Sequence, residues 1–147
     1  MYLLDTDALS LTSARRRHPD DALERWRDFA RSNNDVLHLS VVSLMEVRFG
    51  IEIQRMRDAT RQAMELEKWL LIAETIYAGR LIPVSTAIAH RAGRMLAQAS
   101  AAGHSPGAED ALIAATAVER DIRLISRNRR HMQALGVHCM NPLDLTS

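Results

Sequence analysis

Three acidic residues stand where a carboxylate can do chemistry. Asp5 closes the apolar run Tyr2-Leu3-Leu4. If that run is a buried strand, the carboxylate emerges at its carboxyl end, where open α/β sheets place their ligands. Glu46 follows an apolar segment ending near Leu39-Ser40, and Asp110 lies in the first turn or two of a helix opening at Ser105-Pro106. Each acid also has an ordinary structural reading. Asp5 can cap the helix after it, and helix capping suffices for Asp7 as well. Ser43-x-x-Glu46 has the spacing of a capping box, in which the glutamate reaches back to the cap and has one oxygen less to offer an ion. The helix dipole favours Asp110, and Glu109 beside it. Neighbours on a helix point about 100° apart, so only one of that pair faces a given site. Asp110, with Ile113 and Ala114 three and four residues on, borders the core, a costly place for an unpaired carboxylate. Glu109, with Thr116 seven residues on, leans toward solvent.

Brought to one sheet edge, Asp5, Glu46 and Asp110 repel. Two carboxylates about 5 Å apart cost on the order of 3 kcal/mol at an effective dielectric near 20. A cation makes such a cluster comfortable, and all-oxygen ligands select a hard ion, Mg²⁺ or Mn²⁺, over zinc. The histidines, His18, His38, His90, His104, His131 and His138, show no metal-ligand spacing. A single cysteine, Cys139, excludes a disulfide framework and a cysteine zinc site. A fourth position of interest is Ser126-Arg127-Asn128-Arg129-Arg130-His131, which carries no acid and reads on its own as a solvated basic turn.

The elements that must position these residues are legible as five short apolar strands: Tyr2–Leu4, Val36–Leu39, Leu81–Val84, Arg123–Ile125 and Val137–Met140. Continuous apolar runs of this kind suit strands buried on both faces of a parallel sheet. Between them lie helical patterns. Leu66, Trp69, Leu70, Ala73, Ile76 and Tyr77 predict a helix from near Thr60 to Gly79. Ile88, Ala92, Met95, Leu96 and Ala99 predict another, capped by Ser85 or Thr86 before it and Gly103 after it. Ser105-Pro106 reads as N-cap and first residue of a helix carrying Leu112, Ile113, Ala114, Ala117 and Val118. Less regular helices fill Pro19–Ser32 and Leu44–Ala59. Strands alternating with helices predict an α/β fold, a parallel sheet covered on both faces.

The chain's 147 residues suit one domain, residues 1–147, with 47% apolar and 25% charged residues in the ordinary globular range. No apolar run approaches the roughly 18 residues of a membrane span. The opening Met1-Tyr2-Leu3-Leu4-Asp5 lacks the basic region of a signal peptide, so a cytoplasmic protein is expected. Net charge is +1, too small to announce nucleic acid. Of the 19 basic residues, however, 18 are arginine and one is Lys68. A GC-rich coding bias accounts for that ratio, although arginine's planar fork also suits phosphate. The arginines cluster at Arg15-Arg16-Arg17 and at Arg127, Arg129 and Arg130.

Four stretches, YLLDTDALS (2–10), LSVVSLMEVRFGI (39–51), EDALIAATA (109–117) and LISRNRRHM (124–132), together with the closing NPLDL (141–145), resemble the PIN-domain ribonucleases. The likeness is strongest to toxins of the VapC type, FitB-like members included, in order and separation over nearly the full chain. The resemblance implies a PIN-like fold, a mainly parallel five-stranded sheet flanked by helices. It implies a Mg²⁺- or Mn²⁺-dependent endoribonuclease, the toxin of a toxin–antitoxin pair. Catalysis would fall to Asp5, Glu46 and Asp110. Asp5 and Asp110 would bind the metal, and Glu46 would bind it or orient water. Thr6, Asp7 and Asn128 would support the site, and Arg127, Arg129 and Arg130 would grip RNA. Relatives often carry a fourth acid where this chain has Asn128 or, in another register, His131. The partners implied are RNA, a small DNA-binding antitoxin and a second copy of the chain, with the helical segment Glu52–Ala78 contributing through Ile53, Met56 and Met64. Six aromatic residues, mostly in core-like positions, name no RNA target. Two rival readings remain open. The missing fourth acid suits a PIN fold that acts only by binding its partner. Asp5-Thr6-Asp7 is also similar to the opening of haloacid-dehalogenase-type phosphatases, although Leu9 and Lys68 do not fit that pattern.

Overall fold

A computed structural model describes residues 1–13 and 21–145. The first arginine cluster, Arg15-Arg16-Arg17, and the expected helix start at Pro19 lie outside the described residues. The five strands are β1 (Tyr2–Leu4), β2 (Leu37–Ser40), β3 (Leu81–Ile82), β4 (Arg123–Ile125) and β5 (Cys139–Met140). They form one sheet in the order β3-β2-β1-β4-β5, and every pairing is parallel. β1 therefore lies in the middle, with Leu4 facing Leu39 on one side and Ile125 on the other. The chain winds outward from β1 through β2 to β3, then returns to β1's other side for β4. The strand order reverses there, and the carboxyl ends of β1 and β4 open a crevice.

The helices are α1 (Thr6–Ser10), α2 (Ala22–Ser32), α3 (Val41–Met56), α4 (Thr60–Ile76), α5 (Thr86–Ala101), α6 (Ala108–Glu119) and α7 (Arg129–Ala134). Side chains alternate across a strand, so each apolar strand feeds two cores. Leu4, Leu37, Leu39 and Ile125 pack with α1 to α4 around Leu9, Trp26, Ile51 and Leu70. Leu3 and Leu124 pack on the opposite face with α5, α6 and α7 around Ile88, Met95, Ile113 and Met132.

Several boundaries differ from the sequence expectation for local reasons. β2 begins one residue late because Asn34–Val36 form a 3₁₀ turn. β3 stops at Ile82, since Pro83 has no N–H for the ladder. β5 starts at Cys139 rather than Val137, because the Val137 N–H is taken by the carbonyl of Met132 in the turn that ends α7 around Gly136, φ +77°. The same closure, with His104 N–H on the Ala99 carbonyl, ends α5 at Gly103, φ +83°, as expected. α4 ends at Ile76, and Gly79 lies in a 3₁₀ turn beyond it. Ser105-Pro106 does not open α6. Proline holds the residue before it extended, Gly107 is itself extended at φ −71° and ψ 159°, and the helix begins at Ala108. Finally, α3 starts at Val41, not Leu44, because Ser40 rather than Ser43 caps it, accepting from the Val42 N–H at 3.1 Å.

Trp26 is fully buried, and its indole N–H donates to the Ala8 carbonyl at 3.1 Å, tying α2 to α1 directly behind Asp5. Trp26→Phe removes that donor and leaves a buried carbonyl unpaired. Urea unfolding is expected to show a loss of about 2 kcal/mol.

Candidate active site

Asp5 continues the β1–β4 ladder by one bond, its N–H donating to the Ile125 carbonyl at 3.0 Å, and then caps α1. Its Oδ1 accepts from the Ala8 N–H at 2.7 Å, and its Oδ2 accepts from the Ser126 hydroxyl. Capping and a place at the crevice are thus properties of one side chain. With 5% exposure the carboxylate is nearly out of water. Its pKa is raised to about 6, chiefly by burial, with the Ser126 and Ala8 hydrogen bonds holding it down and Asp7 and Asp110 adding to the rise.

Asp7, expected as a cap, is displaced from that role by Asp5. Its two oxygens accept from the Arg127 guanidinium at 2.5 and 2.9 Å, a bidentate bond across 120 residues of sequence. Arg127 is thereby fixed on the crevice rim, and its pKa is raised chiefly by that hydrogen bonding.

The shift in the start of α3 decides the role of Glu46. With Ser40 as cap, Ser43 sits inside the first turn, fully buried, and there is no capping box. Glu46 instead accepts from the Thr6 hydroxyl through Oε1 at 2.5 Å, and the Ser43 hydroxyl lies 3.1 Å from the same Thr6 oxygen. Burial raises the Glu46 pKa, the Thr6 bond opposes it, and Asp110 and Glu109 add to the rise. Asp110 therefore acts on both Asp5 and Glu46, joining α6 to the field at this edge. Its Oδ2 accepts from the Asn128 amide at 3.2 Å and lies 2.8 Å from His131 Nδ1. Glu109 is exposed, as expected, but Thr116 is not a marker of solvent: it is buried and donates to the Leu112 carbonyl.

The structure thus gathers Asp5, Thr6, Asp7, Glu46, Asp110, Arg127 and Asn128 around the ends of β1 and β4. Arg129 lies 3.5 Å from Asp144, and Arg130 is exposed. The PIN domain profile matches residues 2–136. The chain belongs to the PIN-domain family. It is 30% identical to "Plasmid stability protein StbB" of Pseudomonas syringae pv. tomato, over 98% of this chain and 99% of that one. It is also 30% identical to "VapC ribonuclease Y4jK" of Sinorhizobium fredii, with the same coverage. Among solved structures, that of FitAcB from Neisseria gonorrhoeae superposes with a TM-score of 0.75 at 25% identity, covering 99% of this chain and 100% of the other. The five-stranded PIN fold expected from the sequence is the fold observed, and the phosphatase reading falls with it.

Two residues of this PIN site were missed in the sequence. Ser126 is fully buried. Its hydroxyl donates a hydrogen bond to Asp5 and accepts one from the Asn128 N–H at 2.9 Å, so one hydroxyl sets both the carboxylate and the loop after β4. A serine two residues before an asparagine, at the end of a strand, is a turn signal. Ser43 was masked by the capping-box pattern. The donor set suits a hard cation in type: Glu46 Oε2 and Asp110 Oδ1 accept no hydrogen bond from the described residues, and Asp110 raises the pKa of both Asp5 and Glu46. Among the described residues no three of the acids and histidines are close enough to hold one ion as they stand, so these side chains would have to draw together around it.

A carboxyl with a folded pKa near 6 against an ordinary value of 3.8 holds its proton more tightly in the fold. Its stabilising effect is fully present below pH 3.8 and lost as pH rises through 6, a swing on the order of 3 kcal/mol. Asp5→Asn keeps an acceptor for Ala8 and offers a donor to Ser126. In EDTA the variant should melt higher than the wild type at pH 8, and the gap should close toward pH 4.

Proposed function

We propose that this PIN domain is a divalent-metal-dependent endoribonuclease, the toxin of a toxin–antitoxin pair. The observation that carries the reading is the convergence of Asp5, Glu46 and Asp110, from three separate elements, on the crevice where the strand order reverses. A buried Asp5 beside two further acids is an electrostatic cost that stability alone does not explain. The named relatives, a ribonuclease and a plasmid stability protein, support the same reading.

Asp5 and Asp110 would hold Mg²⁺ or Mn²⁺, with Ser126 keeping the Asp5 carboxylate in place and the Asn128 amide that of Asp110. The bound ion would neutralise charge on the scissile phosphate and make water a better nucleophile near neutral pH. Glu46, aimed by Thr6 through Oε1, has no hydrogen bond to Oε2 from the described residues, so that oxygen would take a proton from the attacking water. Its raised pKa makes it a stronger base than an ordinary glutamate. Arg127, held by Asp7, and Arg129 and Arg130 beside the crevice would bind RNA phosphates, Arg130 with no carboxylate partner among the described residues.

The partner surface would lie on α3 and α4. Phe49 is 67% exposed and Met56 80%, and Met45, Met64, Leu71 and Ile72 are exposed near them in sequence. Of the three residues singled out in the sequence, Met56 and Met64 are exposed and Ile53 is half-buried. An apolar face of this extent suits an antitoxin or a second copy. No helix among the described residues is long and apolar enough to cross a membrane.

Purified protein freed of any partner should cut RNA with Mn²⁺ or Mg²⁺ and stop in EDTA. Asp5→Asn and Asp110→Asn should each abolish cutting without lowering the melting temperature. Equal cutting in EDTA would overturn the assignment, and a binding-only protein would cut under neither condition. Phe49→Glu should weaken self-association or antitoxin capture in light scattering while RNA cleavage persists.

A further inference from the structure

His131 carries a further role. It stands in the first turn of α7 with its imidazole half-exposed on the crevice side. Three polar atoms meet there: Nδ1 of His131 lies 2.8 Å from Asp110 Oδ2 and 2.9 Å from Asn128 Nδ2, and that amide is 3.2 Å from the same Asp110 oxygen. With Asp110 ionised, no placement of protons satisfies all three contacts. A proton on Nδ1 serves Asp110 but meets the Asn128 amide donor. Without it, Nδ1 accepts from Asn128, and its lone-pair side meets the carboxylate oxygen. Turning the amide over only sets its oxygen against Asp110. A cation shared by Nδ1 and Oδ2 relieves the conflict, because both atoms then offer electron pairs to it while Asn128 donates to Oδ2. The spacing suits this: two ligands about 2.1 Å from an octahedral ion and at right angles lie about 3.0 Å apart.

We propose that His131 is a nitrogen ligand, through Nδ1, to the divalent ion that Asp5 and Asp110 hold. The proposal rests on the metal-dependent reading above and deepens it. A neutral imidazole in place of a carboxylate lowers the site's negative charge, on which the hold on Mg²⁺ depends. It also favours ions that accept nitrogen. The site should therefore prefer Mn²⁺ to Mg²⁺. Asn128, which caps α7 without using its side chain for a cap bond, is a positioning residue for the Asp110 oxygen.

The test uses the full chain, Mn²⁺ alone and pulsed electron paramagnetic resonance. The wild type should show ¹⁴N modulation from an imidazole bound to Mn²⁺. His131→Gln and His131→Asp should both lose it. His131→Asp, with an oxygen in the same place, should still bind Mn²⁺, but its preference for Mn²⁺ over Mg²⁺ by calorimetry should fall about tenfold or more, in line with typical effects of altering a metal site's surroundings. Bound Mn²⁺ without ¹⁴N modulation, or modulation that survives in both variants, overturns the proposal. If binding is then still lost in Asp110→Asn, the carboxylate site stands without His131. If Mn²⁺ fails to bind, or binds equally in Asp5→Asn and Asp110→Asn, the metal-dependent reading fails as well.

Discussion

The Asp5 carboxylate is buried at the point where the sheet changes direction, and much of the surrounding structure answers to that. Ala8 supplies a backbone N–H and Ser126 a hydroxyl, and Trp26 braces the short α1 from behind. These bonds satisfy the charged form without cancelling its desolvation, which is why the pKa stays near 6. Further acids nearby aggravate the burden. A fold selected for stability alone would place an amide at this position, and the proposed cation would give the retained charge its use.

The topology does the assembling. Asp5 follows β1, Ser126 follows β4, and Thr6 begins α1, so three of the site's polar groups sit next to strand ends that pair directly. Glu46 enters from α3 because β2 passes into that helix with no intervening loop, Ser40 serving both as strand end and as cap. Asp110 enters from the first turn of α6, where free backbone N–H groups favour an acid. The Asp7–Arg127 fork spans the same crevice from its rim and places a guanidinium beside the buried acid without neutralising it directly.

How much of this the sequence disclosed depends on the range of the interaction. β1 and β4 are legible to the residue, since each carries two buried apolar residues followed by a polar one, and Asp5 is legible as a strand end. The position of Glu46 was harder. Ser40 and Ser43 are both competent caps, and only packing, which buries the Ser43 side chain, selects between them. Ser105-Pro106 has the composition of a helix start, yet Gly107 carries the chain two residues further before the helix begins. The partners of Asp7 and Asp5 on the loop after β4 lie more than a hundred residues away, beyond any spacing rule. The family resemblance recovered the loop's importance but not its chemistry: Asn128 and His131 both reach Asp110, so the positions that carry an acid in relatives are occupied here by a neutral amide and an imidazole.

The most direct measurement is a carbon-detected NMR titration of the Asp5 carboxyl, in EDTA and again with Mg²⁺. A buried acid awaiting a cation should titrate near pH 6 in EDTA, and its midpoint should fall by more than a unit when Mg²⁺ is added. An ordinary midpoint near 4 in EDTA, or one that Mg²⁺ leaves unmoved, would contradict the account.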